Sequence, residues 1–305
     1  MTIYEGIAGV NTRKKGIVLV LICVALWALI PVVAKLGQTS LNHSQFLFWS
    51  SLVSFVVLLI TASMFGNIRE VKFYTLRDWL YLTFLGLLGT YIYYLFLYLG
   101  YARATGIEVL VFQYTWPIFI MLFSIVLFHE SVHLRQILAL LLGVLGVLVV
   151  LSKGRLSSIH IPHLNVILLV TFGAACFGLF SVLSKRVKKD PFVVVAYYFL
   201  VASMAAFVSM IFTSGIAYPS RNELLPILMN GILINGLSYV FWQIALRSTD
   251  ASFLAPFTFL TPILSAFYLV LFFHETFLPS YGVGLACIVA AGLFNSMGRT
   301  SNKLR

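Results

Sequence analysis

Tyr101-Ala102-Arg103-Ala104-Thr105 leads through an apolar run containing Trp116-Pro117 to Phe128-His129-Glu130. Ala245-Leu246-Arg247-Ser248-Thr249 leads through a similar run containing Thr261-Pro262 to Phe273-His274-Glu275. The proline and the His-Glu pair keep one offset, 145 residues, in both places. Chance rarely preserves two spacings at once, so the chain reads as two homologous halves, 1–152 and 153–305.

The composition decides the solvent. With 61% hydrophobic and 10% charged residues, the chain has too little polar surface to face water. Apolar runs near the roughly 20 residues that cross hydrocarbon occur at about 16–37, 46–65, 79–100, 107–128, 135–152, 164–185, 192–214, 224–246, 252–273 and 279–298. Lipid offers no partner to backbone N–H and C=O groups, which favours helices, and the alternation of a membrane barrel is missing. The expectation is an all-α integral membrane protein of ten transmembrane helices.

Lys and Arg are unevenly divided between the two sides. A cytoplasmic N-terminus puts fifteen of them inside and leaves only Lys35, Arg103, Lys153, Arg155 and Arg221 outside. That asymmetry predicts both termini in the cytoplasm and the protein in the cell membrane. The net charge of +11 is then topological and points to anionic lipid headgroups, not nucleic acid, as partners of Arg13–Lys15 and Lys185–Lys189. Five spans per half insert the second half upside down, and inverted repeats of this kind recur in secondary transporters with the site at the midplane.

The ten-span pattern, Ala245-Leu246-Arg247-Ser248-Thr249-Asp250-Ala251, the paired Pro117 and Pro262, and Glu130 and Glu275 closing spans 4 and 9 resemble the EamA branch of the drug/metabolite transporter superfamily. Gln113-Tyr114-Thr115-Trp116-Pro117 is similar to the Asn-Tyr-Leu-Trp-Pro type segment of aromatic amino acid exporters, with Gln for Asn and Thr for Leu. The resemblance implies that spans 1 to 4 and 6 to 9 surround a cavity, with spans 5 and 10 packed outside. It also implies movement of small metabolites, often export.

Trp27, Pro31 and Lys35 follow at four-residue steps on one helical face, repeated in span 6 by Phe177, Ser181 and Lys185. This face is either an aromatic, kinked cavity wall with Lys35 at its mouth, or a packed tryptophan with snorkelling lysines. Pro117 and Pro262 each remove a helical hydrogen bond, freeing the carbonyls of Gln113 and Thr258 as polar ligands or hinges unless nearby threonines take them. Tyr91, Tyr94 and Tyr98 share a face of span 3, and Asn235, Tyr239 and Trp242 form a similar set in span 8. With Trp116 they are cavity candidates. Glu108, Glu130 and Glu275 lie at helix ends, where capping, ion pairing, gating and coupling are all open roles.

The central thirds of the spans hold no Asp, Glu, Lys or Arg, which disfavours phosphorylated substrates and a deep proton relay. The sequence has no G-x-x-x-x-G-K-[ST] loop and no His-Glu-x-x-His motif, so neither ATP-driven transport nor zinc catalysis is expected, and no cofactor or metal. Cys23, Cys176 and Cys287 all fall within apolar runs and suggest no disulfide framework. A gradient of substrate, protons or another ion is left as the driving force. The reading is an alternating-access exporter of amino acids or related aromatic compounds. A multidrug or organic-cation exporter is the first alternative, and an integral membrane enzyme or lipid scramblase the second.

Overall fold

The computed structural model describes residues 12–103, 109, 112–129, 133–152, 164–273, 278–280, 282–284, 286–287 and 290–291, and all regular structure among them is helical. Among the described residues seven helices are long and apolar enough to cross a membrane, at Arg13–Gly37, His43–Phe65, Leu76–Arg103, Leu164–Ser184, Pro191–Thr213, Arg221–Ser248 and Ala251–Phe272. Two more apolar helices are α6 (Trp116–Phe128) and α7 (Leu134–Leu151), in the fourth and fifth expected spans. The expected tenth span, at about 279–298, lies mostly outside the described residues.

The first span is broken into α1 (Thr12–Trp27) and α2 (Ile30–Gly37). Pro31 has no N–H to give the Trp27 carbonyl. The chain responds with a tight turn in which Leu29 N–H bonds the Leu26 carbonyl at 3.1 Å, and the helix restarts with Pro31 in its first turn. Span 2 is one helix, α3 (His43–Phe65), opened by a reciprocal cap between Asn42 and Gln45.

Span 3 consists of α4 (Leu76–Gly86) and α5 (Tyr93–Arg103), joined by π-helical turns at Leu87–Ile92. After α8 (Leu164–Ser184) and α9 (Pro191–Thr213), the same construction recurs: α10 (Arg221–Met229) and α11 (Ser238–Ser248) are joined by π turns at Asn230–Leu237. Shifted by 145, the first π segment becomes 232–237 and falls inside the second. Glycine makes room for the first. A Cβ on Gly89 would stand 2.2 Å from the Phe180 ring. The final described span is α12 (Ala251–Leu254), a 3-10 stretch at Ala255–Phe259 and α13 (Leu260–Phe273).

The main helix pairs cross the boundary at residue 153. Helix α3 lies along α9, α1 along α11, α5 and α6 against α8, and α2 against α10. The α3–α9 pair is antiparallel: Gln45 Nε2 donates to the Gly215 carbonyl at one end, and Asn67 N–H to the Asp190 carboxylate at the other. The core therefore lies between the halves, while apolar side chains such as Val56, Ile60, Met204 and Val208 stay exposed on the outside, as a hydrocarbon surround requires.

Candidate functional site

The break after Trp27 ends α1 with its indole turned into the bundle. There it meets Trp242 at 5.3 Å between ring centroids, Trp116 at 5.9 Å, Phe177 at 6.0 Å and Tyr239 at 6.3 Å, all edge-on. Trp116 also meets Phe177 at 5.1 Å, and Tyr93 meets Phe177 at 4.6 Å. Edge-to-face rings place the positive edge of one against the negative face of the next, which fixes geometry as well as burying area.

Trp27, Tyr93, Trp116, Phe177 and Tyr239, with Ile30, Tyr94, Gln113, Tyr114 and Thr261, line a cavity between the halves. Its interior offers the centre of a water molecule about 10 Å³, room for roughly one water. At that size a ring-sized ligand enters only if side chains or helices part. None of these lining residues is charged.

Polar tips around the cavity are held by hydrogen bonds. Trp27 Nε1 donates to Ser238 Oγ at 2.7 Å, and Ser238 Oγ in turn donates to the Ile234 carbonyl one turn back. Trp242 Nε1 donates to Ser181 Oγ at 3.2 Å, and Tyr239 Oη to the Gly89 carbonyl at 3.1 Å. Gln113 Nε2 donates to Tyr93 Oη at 3.2 Å while its Oε1 accepts from Tyr101 Oη at 2.9 Å. Each bond joins different helices or opposite halves except the short Ser238 contact, so the rings are oriented by the whole bundle.

Among the sequence candidates, Trp27, Tyr94, Gln113, Trp116 and Tyr239 line the cavity, and Trp242 stands behind Trp27 and Trp116. Asn235 is fully buried one turn before Tyr239. Three candidates sit elsewhere or act differently. Tyr91 bonds Ser209 of α9 through its hydroxyl, because the wider π turn rotates the face that a regular helix period would give it. Tyr93 takes its place at the cavity. Lys35 is exposed at the far end of α2. Thr258 is buried with its hydroxyl on the Ala255 carbonyl, and the carbonyl freed by Pro262 is taken by Thr261 Oγ1 at 2.6 Å.

The three prolines are buried at helix restarts. Beside Pro117, the Thr115 hydroxyl bonds the Phe112 carbonyl at 2.6 Å. Glu108, Glu130 and Glu275 lie outside the described residues.

Sequence reasoning missed Ile30, Tyr93, Tyr114 and Thr261 as lining residues and had Phe177 only as the counterpart of Trp27. An available signal was the offset itself: Tyr94 and Tyr239, and Trp116 and Thr261, are 145 apart, and all four line the cavity. It also missed Glu223, fully buried at the first turn of α10. That carboxylate accepts from the backbone of Ser40, Leu41 and Ser220 and from the hydroxyls of Thr39, Ser40 and Ser220, at 2.7–3.1 Å.

Apolar spans, proline-broken helices and an uncharged cavity between them define a multi-pass membrane protein of the transporter class. The EamA-like transporter family matches the chain over residues 14–152 and again over 164–297, and the chain belongs to that family. It is 26% identical over 209 residues to the aromatic amino acid exporter YddG of Ancylobacter novellus, covering 68% of this chain and 72% of that one. An uncharacterized transporter of Archaeoglobus fulgidus is 24% identical over 290 residues, 92% of this chain and 97% of the other. The uncharacterized transporter YyaM of Bacillus subtilis is 22% identical over 223 residues, 70% and 72% of the two chains. One solved crystal structure has the same fold at a TM-score of 0.81 and 20% identity, covering 93% of this chain and 97% of that one.

Proposed function

We propose that the protein is a secondary transporter that exports amino acids or related aromatic compounds, built as ten spans in two inverted five-helix repeats. The observation that carries this reading is the aromatic cavity itself. Its walls come in pairs from the two halves, Trp27 with Phe177, Tyr94 with Tyr239 and Trp116 with Thr261, and its lining is rich in ring faces and edges. The antiparallel α3 and α9 and the matched π turns support the inversion. The two family matches, of similar length, support the division into 1–152 and 153–305.

Alternating access fits a cavity that lies between two sets of ties joining the halves. At one end Glu223 ties α10 to the loop before α3. At the other, Lys185 pairs with Asp250 at 3.7 Å, Lys189 with Asp78 at 3.6 Å, and Arg247 donates to the Lys189 carbonyl at 2.8 Å. The Lys-rich end is the cytoplasmic one in this reading, with both termini there and the cell membrane as location.

An organic-cation exporter is the second reading, favoured by the same rings, whose faces attract cations. Purified protein in liposomes loaded with a mixed pool of amino acids and lipophilic cations separates the two. Selective loss of aromatic amino acids supports the proposal. Loss of cations alone replaces it, and retention of everything by vesicles holding folded protein refutes both.

A further inference from the structure

Tyr98 stacks on Tyr94 at 5.3 Å, away from the aromatic cavity, and its hydroxyl accepts from Asn230 Nδ2 at 2.9 Å. Asn235 adjoins the same hydroxyl. Asn230 and Asn235 are both fully buried, and both belong to the second π segment. Yet Asn230 Oδ1 and Asn235 Oδ1 have no hydrogen-bond partner among the described residues, and the Asn235 amide N–H group has only the Tyr98 hydroxyl beside it. Buried amide groups left this way are costly and rare, so each calls for an explanation.

The first repeat supplies a contrast. Thr90 stands 145 residues before Asn235, in the matching π turns, and its hydroxyl bonds both the Gly86 carbonyl at 2.6 Å and the Tyr198 carbonyl at 3.0 Å. In the second repeat, the matching carbonyl, that of Gly231, accepts from Ser54 Oγ at 2.9 Å instead. Local satisfaction of the π turn therefore does not use the Asn235 amide.

We infer that Asn235 and Asn230 form a polar subsite for the ammonium and carboxylate head of an amino acid whose ring occupies the aromatic cavity. The inference rests on the substrate class proposed above. Its chemistry comes from these atoms: two carbonyl oxygens that accept from an ammonium, and an amide N–H group that turns one hydrogen toward Tyr98 and has its second to donate to a carboxylate. A phosphate has acceptors alone and would face both carbonyl oxygens with like polarity. A hard cation needs six or more oxygen ligands, and two amide oxygens without a carboxylate fall short. Position agrees, since Asn235 adjoins Tyr98, whose ring stacks on the cavity-lining Tyr94, and lies four residues before Tyr239 toward the Glu223 end. A ring among the tryptophans thus points its head toward that end, and Asn235 selects for the head group.

The test is equilibrium binding of labelled L-tryptophan to the purified full chain, with 3-methylindole as a competitor that has the ring but lacks the head. In Asn235→Leu the tryptophan Kd should rise about tenfold or more, as loss of bonds to a charged group predicts, while 3-methylindole competes within about twofold of wild type. The ligand-free variant should melt no lower than wild type, because an amide whose oxygen is unpartnered has been replaced by a similar apolar shape.

Equal weakening of both ligands, unchanged tryptophan binding, or a melting temperature lowered by about 5 °C or more overturns the inference, the last without any ligand. Wild-type protein that binds 3-methylindole but not tryptophan also overturns it and leaves the aromatic cavity standing. Wild-type protein that binds neither refutes the substrate class as well.

Discussion

The Glu223 carboxylate accepts the backbone N–H of Ser40 at 2.8 Å, joining positions 183 residues apart. It also takes the Leu41 N–H at 3.0 Å and the Ser40 hydroxyl at 2.7 Å, so one buried acid holds the turn between α2 and α3 against the start of α10. Hydrogen bonds to a charged acceptor contribute about 1.5–3 kcal/mol each, and removing the acceptor strands the donors. Glu223→Ala should lower the melting temperature by about 5 °C or more and speed amide exchange at Ser40 and Leu41. Glu223→Gln keeps one acceptor oxygen and should lose less. Equal melting of all three proteins would show that the contact is not a structural tie.

The opposite end is closed by different chemistry. The Lys185–Asp250 and Lys189–Asp78 pairs are partly exposed, and such pairs contribute only about 0–1 kcal/mol each and weaken as salt rises. Raising salt to about 1 M, where the Debye length is about 3 Å, should speed hydrogen exchange around 185–190 while leaving the Ser40 and Ser220 amides unchanged. Equal responses at the two ends would contradict the asymmetry.

Gly89 admits the Phe180 ring, and a Cβ there would sit 2.2 Å from it. Gly282 has nothing within 4 Å of the same added atom. Gly89→Ala should cost about 1–3 kcal/mol as overpacking and reduce transport by shifting the π turn under Tyr93 and Tyr94. Gly282→Ala is the control and should melt like the wild type.

Gln113 bridges Tyr93 and Tyr101, so its replacement acts on the cavity and on stability together. Gln113→Leu leaves the buried Tyr93 and half-buried Tyr101 hydroxyls without that partner, at a cost of about 1–3 kcal/mol. Trp116→Phe keeps a ring at a position where the indole makes no hydrogen bond among the described residues. It should therefore weaken binding of an aromatic ligand with a smaller loss of stability than Gln113→Leu. Thermal unfolding and ligand binding on both variants check the order, which the reverse ranking would contradict.

The cavity was legible where a residue's role depends on a duplicated motif. Trp116 and Tyr239 fall in segments whose spacing recurs, and a proline in an apolar run announces a helix break from sequence alone. Tyr93 was not legible because periodicity assumes 3.6 residues per turn, and the π segment at Leu87–Ile92 changes that count before the tyrosines arrive. Glu223 was hidden for another reason. An acid in the first turn of a helix reads as an ordinary cap, and its remaining partners, Thr39 to Leu41, become neighbours only when the two halves interlock. Thr258 misled because the carbonyl freed by Pro262 has a closer claimant in Thr261.

The most direct measurement is exchange of labelled L-tryptophan across proteoliposomes containing wild-type protein or Trp116→Leu, with reconstitution and folding matched. The account predicts exchange well above empty vesicles for wild type and a loss of about tenfold or more in the variant, since the ring it removes touches Trp27, Phe177 and Trp242 and aromatic anchors dominate such sites. Exchange no faster than in empty vesicles, or unchanged by the loss of Trp116, would contradict it.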